Sequence, residues 1–181
     1  MEDKTLEILD KYLDKDFRVF PMAPTQSTLE DIKAVEEELQ VKFPEEYVAH
    51  LLGEGAEFLK ERGLFIEIKE EVWPRPKQYD ASSFGSFLYG LYTFSASKES
   101  SDWMQLRFAG KQFVEGTGIK AAPILQIIGD ANIYCVNETG GIVRYIHDKK
   151  AMEEIKIDFW ELFEKELSEL KKRKENQHTS P

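Results

Sequence analysis

The stretch PILQIIGDANIYCVNETGGIVRYIH, residues 123–147, decides the fold class. It holds three short β-rich runs, Ile124–Ile128, Ile133–Val136 and Ile142–Ile146. Between them lie Gly129-Asp130-Ala131-Asn132 and Asn137-Glu138-Thr139-Gly140-Gly141, loops of four and five residues whose Gly, Asn and Asp suit tight reversals. A parallel crossover needs a dozen residues or more, so connections this short join antiparallel neighbours. The spacing predicts three adjacent antiparallel strands.

Toward the C-terminus, Asp158 and Glu161 form a capping pair, and Phe159, Trp160, Phe163, Leu167 and Leu170 supply the buried face of a closing helix. Residues 171–181 are polar, lack an apolar stripe and read as a flexible tail. Upstream, Leu64–Ile68 and Phe87–Thr93 read as strands separated by a loop with Pro74 and Pro76. Trp103, Leu106, Gly110 and Phe113 recur at helical spacing, with Met104 and Phe108 on an adjoining strip. They predict a helix within Ser95–Glu115, capped by Ser95 or Ser97.

Further upstream, Pro44 fits the first turn of a helix whose apolar face is Tyr47, Val48, Leu51 and Leu52, and Gly53 and Gly55 end it. Ser27 with Glu30 marks the start of the preceding helix, striped by Leu29, Ile32, Val35 and Leu39. Phe17–Gln26, with Pro21 and Pro24, reads as a loop, and Leu6, Leu9 and Leu13 mark an amphipathic helix over Thr5–Asp14. Helices at both ends packed on a mainly antiparallel sheet define a single α+β domain over residues 1–170.

Composition narrows the function. With 181 residues, 41% of them hydrophobic, the chain is long enough to bury a core without disulfides, metal or a partner. The single cysteine, Cys135, excludes an intramolecular disulfide, argues against a thiolate zinc site and points to a reducing compartment. The first residues are charged, with no apolar segment of signal-peptide length, and no run approaches the length of a membrane span. A cytoplasmic protein is expected. The net charge is −10, which disfavours nucleic-acid binding, because displacing counterions from phosphate needs a concentrated basic field. The acidity is uneven: Glu30 to Glu71 holds 13 acidic against 5 basic residues, a net of −8, and leaves −2 for the rest.

Catalytic signatures are missing. His50 sits on a helix among core residues, His147 ends a strand and His178 falls in the tail, and none has a second histidine or a cysteine at ligand spacing. Cys135 lies inside a strand, where a small apolar core role is commonest. The glycines complete neither a dinucleotide fingerprint nor a phosphate loop, and no nucleophile elbow is present. No cofactor, metal or catalytic residue is therefore expected. The remaining feature is the acidic surface, with Glu45, Glu46, Glu70 and Glu71 as candidate contacts for a basic protein and solubility as their plainer role. Trp73 is either an aromatic anchor in a binding loop or a plug over the sheet edge, with the core role favoured.

Leu39-Gln40-Val41-Lys42-Phe43-Pro44-Glu45-Glu46-Tyr47, followed by an apolar helix and Gly53-Glu54-Gly55, resembles the SUKH superfamily, whose members read hydrophobic-Pro-acidic-x-aromatic before a Gly turn. Gly129-Asp130-Ala131-Asn132 before Ile133-Tyr134-Cys135-Val136 is similar to that family's Gly-Asp turn into a strand, and Asp158-Phe159-Trp160-Glu161-Leu162-Phe163 to its closing helix. The resemblance spans about residues 27–170. Glu54 interrupts the Gly-rich pair, and Ala131 and Asn132 stand where further Gly or Asp is usual. What the resemblance implies is an α+β binding domain without catalysis. The superfamily includes bacterial immunity proteins that neutralise secreted toxins, often nucleases, and a fungal regulator of cell-wall synthesis. A basic toxin is then the expected partner, a regulatory adaptor the alternative and a small hydrolase the third reading.

Overall fold

A computed structural model describes residues 3–75 and 88–179. Among them are five α-helices, α1 (Lys4–Tyr12), α2 (Leu29–Leu39), α3 (Glu45–Leu52), α4 (Leu106–Thr117) and α5 (Phe159–Thr179). The seven strands are β1 (Phe17–Pro21), β2 (Leu64–Ile68), β3 (Gly90–Thr93), β4 (Ala121–Ile127), β5 (Ile133–Asn137), β6 (Ile142–Ile146) and β7 (Ala151–Glu154). They form one sheet in chain order, every neighbouring pair antiparallel, so the fold is a single α+β domain with a meander at its centre. The three strands expected from residues 123–147 are β4 to β6, and the loops between them are held by their own side chains. Asn137 Oδ1 accepts from the Thr139 and Gly141 amides at 3.1 and 2.9 Å, and Asp130 Oδ1 accepts from the Asn132 amide at 2.9 Å.

Helix α3 packs on α5 and α2, α1 on α5, and α4 on α2 and β4. The helices and the inner sheet face share one large core, in which Ile32, Tyr47, Leu51, Leu64, Ile66, Phe159 and Phe163 are fully buried. Gly110 leaves room for Leu39 where α2 crosses α4: a Cβ there would lie 2.4 Å from Leu39 Cδ1 and force that side chain to move. Gly53 ends α3 in the left-handed conformation at φ 60°, which glycine adopts without strain. Asp158 and Glu161 cap each other's backbone at the start of α5 at 2.9 and 3.0 Å.

Several elements differ from the sequence expectation, each for a local reason. The cap of α2 is one residue later than Ser27: Thr28 and Asp31 form a reciprocal box with 3.0 Å bonds, and Ser27 is buried, accepting from the Ala96 amide. Pro44 stands at the cap of α3, just outside its first turn, with its carbonyl accepting from Tyr47 and Val48. Phe17–Pro21 is a strand because it is a sheet edge and Pro21 is its last residue, where a missing N–H costs no ladder bond. Residues 95–105 form a loop with two turns, closed by a bridge between Ser95 and Gln105, and Gln105 stands at the cap of α4, so Ser95 and Ser97 do not cap it. Trp103 matched the helical spacing but sits outside the helix and is 44% exposed.

Strand β7, AMEE, carries no β-former signal and pairs as the other edge. The polar segment from Lys171 continues α5 to Thr179 instead of fraying at that point. Lys174 is buried there and donates to Asp14 and Asp16 at 3.0 Å, and Arg173 donates to the Leu88 carbonyl at 2.9 Å. Tertiary ion pairs thus do what an apolar stripe would have done. Pro76 and the start of the Phe87–Thr93 strand lie outside the described residues, as do Ser180 and Pro181.

Candidate protein-binding surface

Helices α2 and α3 meet at a corner closed from inside: Gln40 takes the left-handed conformation at φ 56°, and the Phe43 amide donates to Glu36 Oε2 at 2.8 Å. The corner opens a groove of about 610 Å³ between α1, α2, α3 and Trp160 of α5. Its floor is apolar, from Leu29, Ile32, Val48, Leu52 and Trp160, and Leu29 is 47% exposed, so the stripe of α2 is only partly used by the core. Lys33, Lys42, Glu45 and Glu54 stand on the rim, and none of these four makes an ion pair among the described residues. Glu45 and Glu46 occupy the first turn of α3, where the helix dipole favours carboxylates.

The four candidate glutamates do not converge. Glu45 faces the groove and Glu46 lines a separate hollow beside Gly140, Lys156 and Asp158. Glu70 and Glu71 are exposed at the end of β2, around a hollow of about 350 Å³ with Arg18, Glu67, Lys69 and Arg75. Trp73 is 3% exposed and part of the main core cluster, the role favoured for it, so it does not stand out as an anchor beside the four glutamates.

The acidic run is also less free than its net charge of −8 implies. Glu38 is clamped by Arg107 and Lys111, the Lys111 bond foremost in holding its carboxyl below the usual range despite some burial. Glu67 lies between Arg18 and Arg75, Glu36 is bonded to backbone, and Asp31 is in the cap. Bases from distant parts of the chain supply the compensation. Glu30, Glu37, Glu45, Glu46, Glu54, Glu57, Glu61, Glu70 and Glu71 remain unpaired among the described residues.

One polar cluster had no signal in the sequence. Arg62, fully buried, donates to Asp3 Oδ1, Thr5 Oγ1 and the His50 carbonyl at 2.8 Å each, and to the Leu59 carbonyl at 2.7 Å. Thr5 Oγ1 lies 2.9 Å from His50 Nδ1, and Asp3 also caps α1 by accepting from the Leu6 amide. His50 is enclosed by Tyr47, Phe159, Trp160 and Phe163, and its Nε2 has no partner among the described residues. Burial, then the Arg62 charge, pulls its pKa well below the ordinary value, so it is held neutral. The five residues are spread over 60 positions, and only the α1–α3–α5 packing brings them together.

The other chemistry-bearing residues are dispersed. Cys135 is fully buried and burial pushes its thiol up, away from thiolate reactivity. His147 is exposed in a 3₁₀ turn after β6, and its amide donates to Asn132 Oδ1 at 2.9 Å. No group of three His, Cys, Asp or Glu suited to a metal occurs among the described residues, and no described helix is long and apolar enough to cross a membrane.

A helix pair joined at an acidic Pro-Glu-Glu corner, a continuous antiparallel meander and a closing helix capped by Asp158 define a SUKH-type α+β domain. The chain belongs to the SMI1 / KNR4 family (SUKH-1), whose model matches residues 26–165. The match starts just ahead of α2 and ends within α5, so α1 and β1 stand outside it. Comparison with curated proteins and with solved structures returns no match.

Proposed function

We propose that this domain is a non-catalytic immunity protein that binds a secreted toxin, with a basic nuclease domain as the expected target. Membership of the SMI1 / KNR4 family (SUKH-1) carries the proposal, since toxin immunity is frequent in it. Its physical support is the set of unpaired carboxylates, Glu45, Glu46, Glu70 and Glu71, on a chain of net charge −10. A nuclease needs a positive surface to hold phosphate, and acidic groups on its inhibitor raise the encounter rate.

The test starts from the neighbouring genes: where one encodes a large secreted protein, its C-terminal domain is the toxin to use. Co-expression should protect cells, and the purified proteins should form a stoichiometric complex. Changing Glu45, Glu46, Glu70 and Glu71 together to Lys should slow association by roughly tenfold at low salt, with the gap closing as salt screens exposed charge beyond ~8 Å. Unchanged association at low salt would reduce the acidic surface to a solubility device. Absence of both complex and protection would refute the immunity reading.

A further inference from the structure

We propose that the outer face of β1, β2 and β3 is where two copies of this chain meet. This goes beyond the toxin-binding reading and does not rest on it; the contact takes in Glu70 and Glu71, and leaves Glu45 and Glu46 to a toxin. In the sheet register Phe20 lies opposite Phe65, and Phe65 opposite Tyr92. Their rings form one row across the three strands, with centroids 5.2 and 6.4 Å apart, and Trp103 closes it with its ring 5.0 Å from Tyr92. Phe20 and Phe65 belong to neither buried core cluster, while Tyr92, next to Trp103, is half-buried and packs against the main one. Trp103 at its end is 44% exposed. Phe20, Phe65 and Tyr92 are half-buried, and a row of partly exposed aromatics ending in an exposed Trp has the composition of an interface core.

Charge selects the occupant. The next row along the same face is Arg18 opposite Glu67, with Arg75 on the far side of Glu67 at 3.2 Å. The hollow there is lined by Arg18, Lys69 and Arg75 against Glu67, Glu70 and Glu71, three bases and three acids. On a molecule of net charge −10 this patch is locally neutral. A two-fold contact sets a patch against itself, so a surface of one sign repels its own copy and a balanced one does not. The apolar row then supplies the attraction, and bases of one copy face acids of the other. A purely structural row would stabilise the strands by cross-strand packing and leave the protein monomeric.

Sedimentation of the purified chain, from about 10 μM to 1 mM, tests this, a range in which a contact of modest size dissociates measurably. The mass should rise with concentration from that of one chain toward twice that value. Trp103→Ala should weaken the association at least tenfold with an unchanged circular dichroism spectrum. Arg18→Glu, at an exposed side chain, should weaken it independently by unbalancing the patch. Leu29→Ser, in the α2–α3 groove, should leave it unchanged. A monomer at every concentration would overturn the proposal. So would a dimer indifferent to both Trp103→Ala and Arg18→Glu, or one abolished by Leu29→Ser, which would move the contact to the groove.

Discussion

Arg62 and Arg18 both pair with a carboxylate, in opposite surroundings. Arg62 sits without solvent exposure between α1 and α3, with Asp3 and three neutral oxygens around its guanidinium. Arg18 lies on the outer sheet face with most of its side chain in water, and its partner Glu67 also holds Arg75. A charge pair matters by what remains when one member is removed. At the helical end a buried carboxylate and a buried carbonyl would be stranded, whereas on the sheet Glu67, also buried, keeps a second cation in Arg75. The helical pair also fastens an element that lies outside the family match. Arg62 belongs to the matched region, whereas Asp3 and Thr5 do not, so a buried charge serves as the anchor for α1.

Breaking the helical end gives the largest expected effect. Arg62→Ala should cost about 3–5 kcal/mol, the usual range for leaving half of a buried pair, read as a fall in the urea midpoint. A loss under about 1 kcal/mol would mean that water enters and re-solvates Asp3. Leu51→Ala, in the same packing layer but purely apolar, should cost roughly 2–5 kcal/mol, and an unchanged midpoint would show that Leu51 is not a core residue. The pair of variants separates what the polar cluster contributes from what ordinary packing contributes.

Acid sharpens the comparison, because only the helical end contains a buried neutral imidazole. Unfolded His50 takes up a proton as the pH falls through about 6.5, and folded His50, its pKa well below that, does not. The unfolded state is therefore favoured increasingly below that pH, by at most about 1.4 kcal/mol per pH unit for this one site. Urea midpoints at about pH 7.5 and pH 5.5 should differ more for the wild type than for His50→Gln, and equal differences would show that His50 is protonated in the fold. On the sheet, Arg18→Ala should cost no more than about 1 kcal/mol, since Glu67 retains Arg75. Glu37→Ala, at an exposed and unpaired position, should stay within about 0.5 kcal/mol by thermal unfolding.

The sequence alone determined the parts whose signals are local. Residues 123–147 specified three antiparallel strands because hairpin loops and β-rich runs alternate within hairpin reach, and Asp158 with Glu161 specified the start of α5 because a capping box is closed within four residues. The motif around Pro44 carried the family for the same reason. What only the tertiary structure decided depends on atoms far apart in the chain. Phe17–Pro21 is a strand because β2 lies beside it, and 171–179 is helical in a fold that offers Asp14 and Asp16 to Lys174. Trp103 has the spacing of a helix face but lies on a turn, and Trp73 is drawn into the core. The acidic run reads as −8, yet Arg107, Lys111, Arg18 and Arg75 reach it from outside. Charge is counted along the chain, but screening and pairing act through space, so the folded packing determines which carboxylates stay free for a partner.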